Sequence, residues 1–390
     1  MLNFEFCSPT RVLFGRNKEE EIGAKLKELG SAVVLIVYGQ SSVIKSGLLA
    51  KVTASLEVSG IRYIELGGVR INPNTSFVEL GREAVKKHYI DTILAVGGGS
   101  VIDVAKAISV NAFYRGNVFD FNDHKAQPQR AIPVAVILTV AGAGSELSSS
   151  CVIQDDKRKM KKGFNTDLVR PVLVIENPEL TYTVSKYQTA VGTVDILMHT
   201  LERYFSTSSK IELADEFAIG LLKTVIKSGI IVYNKPMDYD GRANLMLTSS
   251  YSHNGITSIG KKYKMPCHYL EHVLSGIYPE VAHGAGLAVI FPAWAEEYMI
   301  VEKQKMARLA RELFDCKFTS NIEGARLFID NIKAYFEKLE MPSTFKDLGI
   351  ENVNIEELLN QFVANGTRAV DHRCKPLDVD VAKVIYERCK

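Results

Sequence analysis

The chain has 390 residues, a length typical of two domains, and its 46% hydrophobic and 24% charged residues exclude extensive disorder. Lys and Arg number 47 against 45 Asp and Glu, and the net charge of +2 excludes a strongly basic surface for nucleic acid. Apolar runs are shorter than the roughly 18 residues of a membrane span, no signal peptide is recognisable, and the six cysteines are irregularly spaced. We therefore expect a cytoplasmic globular protein without nucleic-acid or membrane partners.

The first half of the chain alternates between strand-like and helical patterns. Short runs rich in β-branched residues predict strands, and apolar residues three and four positions apart predict helices. The predicted strands cover residues 32–38, 62–66, 92–96 and 132–138, and the predicted helices cover residues 46–59, 76–88 and 101–110. This alternation predicts a parallel sheet with helices packed on its faces.

The pattern changes after residue 175. Strand-like runs become scarce, and helical periodicity extends over residues 184–205, 210–232, 242–258, 299–314 and 321–339. The boundary lies near Asn177 and Pro178, where a proline interrupts the pattern before a helix-capping threonine or serine. We therefore predict an α/β domain over residues 1–178 and an all-α domain over residues 179–390.

Three glycine- and hydroxyl-rich loops follow predicted strands of the first half. Gly97, Gly98 and Gly99 stand between a strand and a helix that opens with Ser100. Such a turn lets the backbone approach a phosphate at the helix N-terminus, although it is often purely structural. Asp103, in the same helix, is within reach of a ribose hydroxyl.

The other two loops, at residues 38–47 and 138–150, converge with the first if the strands share one sheet. We therefore predict an α/β dinucleotide-binding domain, although the G-x-G-x-x-G fingerprint is absent. The basic run at residues 157–162 is interpreted as a solvated turn, with proximity to an anionic ligand as the alternative.

Histidines and a carboxylate recur at helical spacing in the second half. Asp195 and His199 are four residues apart, as are His268 and His272, and His283 precedes a Gly-x-Gly sequence interpreted as a turn. Carboxylate and imidazole groups suit a divalent metal with an open position, Fe(II) or Zn(II). The alternative is a set of ordinary helix-face histidines. Spacing alone does not separate His268 from His272 as a ligand. We interpret His253 and His372 as neighbours of the cluster or as surface residues.

Together these motifs resemble the iron-containing (group III) alcohol dehydrogenase family. The matching segments are GGGSVIDVAKAI, AGAGSE, NPELT, GTVDILMHTLERYF and HYLEHVLSGIYPEVAHGAGLAVIFPAW, and the resemblance extends from about Phe14 to the C-terminus. The wording HYLEHVLSGIY and the YGQSS loop look most similar to the NADPH-dependent butanol dehydrogenases. The resemblance implies a dehydroquinate synthase-like architecture, with the metal and active site in a cleft between an α/β and a helical domain.

The resemblance also implies roles for individual residues. It gives the metal-ligand positions to Asp195, His199, His268 and His283, and places His272 beside substrate and nicotinamide as the candidate catalytic residue that relays a proton. The expected cofactor-binding residues are Gly39, Gln40, Ser41, Ser42, Gly97, Gly98, Gly99, Ser100, Asp103, Thr139, Ser148, Lys161 and Leu180. Two departures stand out: Ala143 replaces the usual threonine, and the segment from His272 to His283 is one residue longer than expected.

The implied reaction is a reversible hydride transfer between a primary alcohol or aldehyde, such as butanol or butanal, and NADP(H). Gly39 stands where NAD-preferring members tend to carry an aspartate, so we expect NADP(H) to be preferred over NAD(H). Fe(II) is the expected metal, with Zn(II) as the alternative. The alternative functions are a glycerol-type polyol dehydrogenase or a maleylacetate reductase on the same scaffold, and a non-catalytic metal- or nucleotide-binding protein. A homodimer is a further expectation.

Overall fold

The computed structural model describes residues 2–205, 211–364 and 375–390. The chain divides into two compact units, which we call the α/β unit (Cys7–Thr183) and the helical unit (Met1–Phe6 with Val184–Lys390). The division follows Thr183, slightly beyond the boundary that we predict at residue 178. The first six residues belong to the helical unit, which the sequence did not indicate.

The α/β unit contains eight strands and five helices among its described residues. The strands are β1 (Arg11–Phe14), β2 (Val33–Tyr38), β3 (Arg62–Gly67), β4 (Thr92–Gly97), β5 (Val134–Leu138), β6 (Ser150–Asp155), β7 (Met160–Asn165) and β8 (Leu173–Glu176). The helices are α1 (Ile22–Glu28), α2 (Ser42–Lys45), α3 (Leu48–Val58), α4 (Thr75–His88) and α5 (Gly99–Asn111).

Six of these strands form one parallel sheet in the order β1-β8-β5-β4-β2-β3. The residues of β2 from Val34 to Val37 are fully buried, as are Ile93 to Val96 of β4. Such continuous apolar runs are typical of strands covered on both faces. Because β5, β4 and β2 are neighbours and run parallel, the three glycine-rich loops leave the same edge of the sheet. This confirms the predicted α/β fold class.

Several local predictions for the α/β unit were wrong or incomplete. The predicted helix at residues 46–59 is α3, which begins two residues later than predicted, after Gly47, whose positive φ of 76° lies in the left-handed region. The short strands β1 and β8 were not predicted, nor was the antiparallel hairpin of β6 and β7. The basic run is a turn only up to Lys159. Met160 begins β7, and Lys161 is buried within it.

The described residues of the helical unit are mainly helical. Its helices are α6 (Lys186–Tyr204), α7 (Glu212–Asn234), α8 (Tyr239–His253), α9 (Pro266–Ile277), α10 (His283–Phe314), α11 (Asn321–Lys338), α12 (Ile355–Ala364) and α13 (Val379–Arg388). The predicted helix at residues 299–314 is only the second half of α10, which has 32 residues and continues through Pro292. No helix of the described residues is long and apolar enough to cross a membrane.

Candidate active site

Helix α6 carries three polar side chains on one buried face. Asp195, His199 and Glu202 are at positions i, i+4 and i+7, so they follow one another along that face. All three are buried, with exposures of 6%, 4% and 2%. The helix begins at a cap in which the Ser185 hydroxyl accepts from the Gln188 N–H at 3.2 Å. The Asp-x-x-x-His spacing of the sequence therefore becomes a pair of adjacent, desolvated side chains.

Glu202 fixes the next ligand candidate on α9. One carboxylate oxygen accepts from the backbone N–H of Cys267 at 2.6 Å, and the other is hydrogen-bonded to Nδ1 of His268. Helix α9 starts with Pro266 at its first position, where proline removes no hydrogen bond. Because Nδ1 of His268 is occupied, its Nε2 is the nitrogen that faces Asp195.

His283 begins α10, and the glycines after it are helical rather than a turn, which corrects the sequence prediction. A Cβ on Gly284 would lie 2.1 Å from the Val191 carbonyl oxygen, and one on Gly286 would lie 2.9 Å from Cγ of Glu271. Glycine at both positions therefore lets α10 approach α6 and α9 closely. Glu271 also binds Nδ1 of His283. Each of His268 and His283 thus has a buried glutamate that orients its ring.

Three of the four predicted ligands, all histidines, each place a ring nitrogen within 4 Å of a carboxylate oxygen of the fourth. Oδ1 of Asp195 is 3.5 Å from Nδ1 of His199, 3.5 Å from Nε2 of His268 and 3.8 Å from Nε2 of His283. Asp195 Oδ1, His199 Nδ1 and His268 Nε2 are buried and have no hydrogen-bond partner. Buried polar atoms are normally hydrogen-bonded, so a cluster of orphaned ones indicates that another group completes it. A carboxylate with imidazoles fits a divalent transition metal.

Burial and neighbouring charges shift the pKa values of two histidines of the cluster in opposite directions. Burial lowers the pKa of His199 well below its ordinary value, and the neighbouring His253 adds to this effect. For His268, burial opposes the charged form, but the carboxylates of Glu202 and Asp195 outweigh it and raise its pKa to about 9. The site therefore contains one imidazole held neutral and another held strongly by anions. The neutral imidazole offers a lone pair, and the carboxylates of Glu202 and Asp195 favour a positive charge, which a metal ion would supply in place of a proton on His268.

His272 lies next to this cluster, beside the rings of His283 and His268. Its ring centroid is 5.4 Å from that of His283 and 6.4 Å from that of His268. Its ligand atom groups with those of Glu271 and His283 within 4.8 Å. His272 is therefore adjacent to the four converging residues, in a position where it can contact what they bind. His268 thus groups with Asp195 and His199, whereas His272 groups with Glu271 and His283.

The second half of the chain has two more histidines, His253 and His372. His253, at the end of α8, packs its ring 4.1 Å from that of His199 and is a neighbour of the cluster. His372 lies outside the described residues.

In the α/β unit, the glycine turn and the loop after β5 are in direct contact. Gly97 ends β4, Gly98 is extended, and Gly99 and Ser100 open α5. A Cβ on Gly99 would lie 2.7 Å from the Cβ of Ala143, so glycine is required for this approach. The Thr139 N–H donates to the Gly97 carbonyl at 3.1 Å. The first-turn N–H groups of α5 are therefore beside a second loop, as a phosphate site needs.

Four other cofactor candidates are bonded or packed within the α/β unit. Asp103 accepts from the Ser145 hydroxyl at 2.6 Å and from the Val152 N–H at 3.2 Å. The Ser148 side chain is turned inward, because its residue is 1% exposed and its hydroxyl lies 3.2 Å from Nζ of Lys106. Lys161 is 6% exposed on β7, and Leu180 packs against the core of the sheet.

The loop after β2 is open. Gly39 follows the strand with no atom nearer than the Val69 carbonyl, 3.9 Å from where its Cβ would be. Gln40, Ser41 and Ser42 are exposed. Ser42 also begins the short helix α2, so it presents a hydroxyl at a helix start. The loop thus offers space and hydrogen-bond donors.

Sequence reasoning missed three residues that support the site. Glu202 and Glu271 orient histidines, and Lys106 lies fully buried under the loop after β5. Glu202 is the last residue of the G-x-x-D-x-x-x-H-x-x-E motif, seven residues after Asp195, and that spacing is the signal that could have identified it.

Known proteins are similar to this chain over its whole length. The family model for iron-containing alcohol dehydrogenases matches residues 9–178, and the C-terminal model of the Fe-containing alcohol dehydrogenase family matches residues 189–385. NADH-dependent butanol dehydrogenase A of Clostridium acetobutylicum is 37% identical over 391 residues, which cover 100% of both chains. The crystal structure of NADH-dependent butanol dehydrogenase A from Thermotoga maritima is 33% identical, with a TM-score of 0.95 over 100% of this chain and 99% of that one.

A third relative is the NADPH-dependent aldehyde reductase YqhD of Escherichia coli, 30% identical over 100% of both chains. The chain therefore belongs to the iron-containing alcohol dehydrogenase family, which confirms the resemblance seen in its motifs. It is an oxidoreductase of the alcohol dehydrogenase and aldehyde reductase type that uses a nicotinamide cofactor and an iron-type metal. The names of these relatives differ in the cofactor: two specify NADH and one NADPH.

Proposed function

We propose that this enzyme transfers a hydride between NADP(H) and a primary alcohol or aldehyde of the butanol type, with one bound divalent metal. The observation that carries the metal assignment is the convergence of three imidazole nitrogens, 3.5–3.8 Å away, on the unpartnered Oδ1 of Asp195. Asp195, His199, His268 and His283 would hold the ion. Fe(II) is the first choice from the family, and Zn(II) suits the same donors.

The chain's own residues prepare the reaction. Glu202 and Glu271 hold Nδ1 of His268 and His283, so the rings keep their orientation. Asp195 supplies negative charge in a buried site. His272, beside these residues, would take the alcohol proton and pass it toward solvent. When bound, the metal supplies a Lewis acid at the substrate oxygen, and the nicotinamide supplies or accepts the hydride.

The proposed preference for NADP(H) rests on the loop after β2. Gly39 provides room, and Gln40, Ser41 and Ser42 are exposed donors. Lys45, also exposed, adds a cation at the end of α2. There is no acidic residue between Tyr38 and Gly47 that would repel a 2′-phosphate. An acidic residue at this point normally binds the ribose 2′-hydroxyl of NAD.

A substrate panel tests the proposal. The purified enzyme is reconstituted with Fe(II) or Zn(II) and assayed with butanal, glycerol and maleylacetate, each with NADPH and with NADH. We expect the highest kcat/KM with butanal and NADPH. Higher kcat/KM with glycerol or maleylacetate would replace the butanol-type substrate, and equal or higher kcat/KM with NADH would refute the cofactor preference. The result for the substrate and the result for the cofactor are independent of each other.

We also propose that the enzyme is a homodimer. Leu2, Phe4 and Phe6 are 50%, 53% and 43% exposed and alternate with polar residues along the chain. Exposed apolar rows of this kind commonly mark protein contacts. Light scattering during size-exclusion chromatography should give twice the mass of 43.2 kDa. Replacing the three residues by serine should reduce that mass to the monomer value.

A further inference from the structure

A buried lysine on α5 faces the loop that follows β5. Lys106 is fully buried, and its ammonium nitrogen donates to three backbone carbonyls of that loop. The acceptors are Ser145 at 2.6 Å, Ser148 at 2.9 Å and Ser150 at 2.9 Å. An ammonium group has three protons, so these carbonyls engage all of them. The Lys106 ammonium group therefore holds three backbone carbonyls around one positive charge, as a bound cation would.

Asp103, one helical turn before Lys106, contacts the same loop. Its carboxylate accepts from the Ser145 hydroxyl and from the Val152 N–H. Burial lowers the pKa of Lys106 to about 8, while the Asp103 carboxylate favours the charged form. The two side chains thus place a half-buried acid and a buried base on one face of α5, both turned to the loop.

The same helix begins at the glycine turn of the cofactor site. Ala143, in the loop, packs against Gly99, and the Thr139 N–H donates to the Gly97 carbonyl. The loop from residue 139 to residue 150 therefore contacts the N-terminus of α5 at one end and Lys106 at the other. A shift at the Lys106 end would change how the loop meets the glycine turn.

We propose that Lys106 is a positioning residue for cofactor binding, which holds the loop at residues 139–150 against the glycine turn before the cofactor arrives. The inference rests on the proposed cofactor site. Without the ammonium group, three backbone carbonyls lose a charged donor, of which the Ser145 carbonyl still accepts from the Ser148 N–H at 3.2 Å, and the loop would rearrange to reach water. Part of the binding free energy would then be used to order the loop again.

The test uses the full-length, metal-loaded enzyme with Lys106→Met, and Ser109→Ala as the matched control. Ser109 is also fully buried on α5, but its hydroxyl donates to the Ile132 carbonyl at 2.7 Å, away from the loop. We expect Lys106→Met to raise the Kd of both NADPH and NADH about tenfold, with kcat at saturating cofactor and metal content close to wild type. Amide hydrogen exchange should become faster at residues 139–152. The control should change neither Kd nor exchange in that segment.

Unchanged exchange in the loop, or faster exchange with an unchanged cofactor Kd, would overturn the proposal. So would an equal rise in Kd for Ser109→Ala, since that indicates general destabilisation. If Lys106→Met does not fold, Lys106→Gln removes the charge and one of the three donors, and should raise both Kd values about threefold; no rise would overturn the proposal. The ratio of the wild-type kcat/KM values for NADPH and NADH tests the cofactor preference separately. The positioning effect of Lys106 applies to both cofactors and does not change that ratio.

Discussion

The candidate metal site of the helical unit and the glycine loops of the α/β unit are built from different kinds of chemical group. In that site, side chains from α6, α9 and α10 supply the functional atoms, and two buried glutamates orient the histidines of α9 and α10. In the loops, backbone groups and exposed hydroxyls supply the contacts, and buried side chains act from beneath. Substitutions in the cluster should therefore have large, all-or-none effects, whereas substitutions in the loops should have graded ones.

The largest effect is expected for His268→Ala. It removes a ligand and leaves Glu202 buried without its histidine partner, so the metal should be lost. Because a metal stabilises the transition state by several kcal/mol, turnover should fall on the order of 10³-fold. Elemental analysis and steady-state assays measure both. His88→Ala, in the α/β unit, is the control; stoichiometric metal and surviving turnover in the His268 variant would show that the ligand set is wrong.

His272→Ala should separate chemistry from metal binding. The variant should keep its metal but lose turnover by roughly 10²-fold, and the pH dependence of kcat should change because a proton relay is removed. Metal analysis and a pH profile of kcat are the measurements. Loss of metal in this variant would instead make His272 a ligand.

Glu202→Gln tests whether the glutamates that orient the histidines matter. An amide holds Nδ1 of His268 less strongly than a carboxylate, so metal affinity should fall about 10–100-fold. Titration of the metal-free protein with Zn(II) gives the affinity directly. Glu302→Gln is the matched control, because Glu302 is an equally buried carboxylate of the same unit, on α10. Equal losses in the two variants would argue against a specific role for Glu202.

The smallest effect is expected in the open loop, for Gly39→Asp. There is room for the side chain, and a carboxylate beside the 2′-phosphate would weaken NADPH binding by about tenfold for each 1.4 kcal/mol of repulsion. The ratio of kcat/KM for NADPH and NADH should shift toward NADH. Gly39→Asn has the same shape without the charge and should shift the ratio much less. An identical ratio in wild type and in the Asp variant would remove this loop from the cofactor site.

Much of the fold could be predicted because its signals are local. The runs that form β2, β4 and β5 are continuous and apolar, and the alternation with helices specifies a parallel sheet. The strands β1 and β8 have four residues each, too few for a periodic signal. The start of α10 was missed because the glycines of HGAG and Pro292 are typical of turns. In the structure all of them lie within α10, and the two glycines allow its close contact with α6 and α9.

The site shows the same limit. Asp195, His199, His268 and His283 could be proposed from residue type, spacing and family resemblance, because few other roles suit such a set. Glu271 and Lys106 could not, because charged residues on helices are usually solvated. Their burial and their partners depend on distant parts of the chain, such as the twelve-residue separation between Glu271 and His283.

The assignment of Met1–Phe6 to the helical unit makes the α/β unit an insertion in the chain. The Leu2 N–H donates to the Gly260 carbonyl at 3.0 Å, so the first residues are part of the structure that resumes at Val184. A fragment that starts at Val184 would lack this segment. Expressing the helical unit alone therefore calls for a circular permutation or a short linker that joins Phe6 to Val184, rather than a single cut.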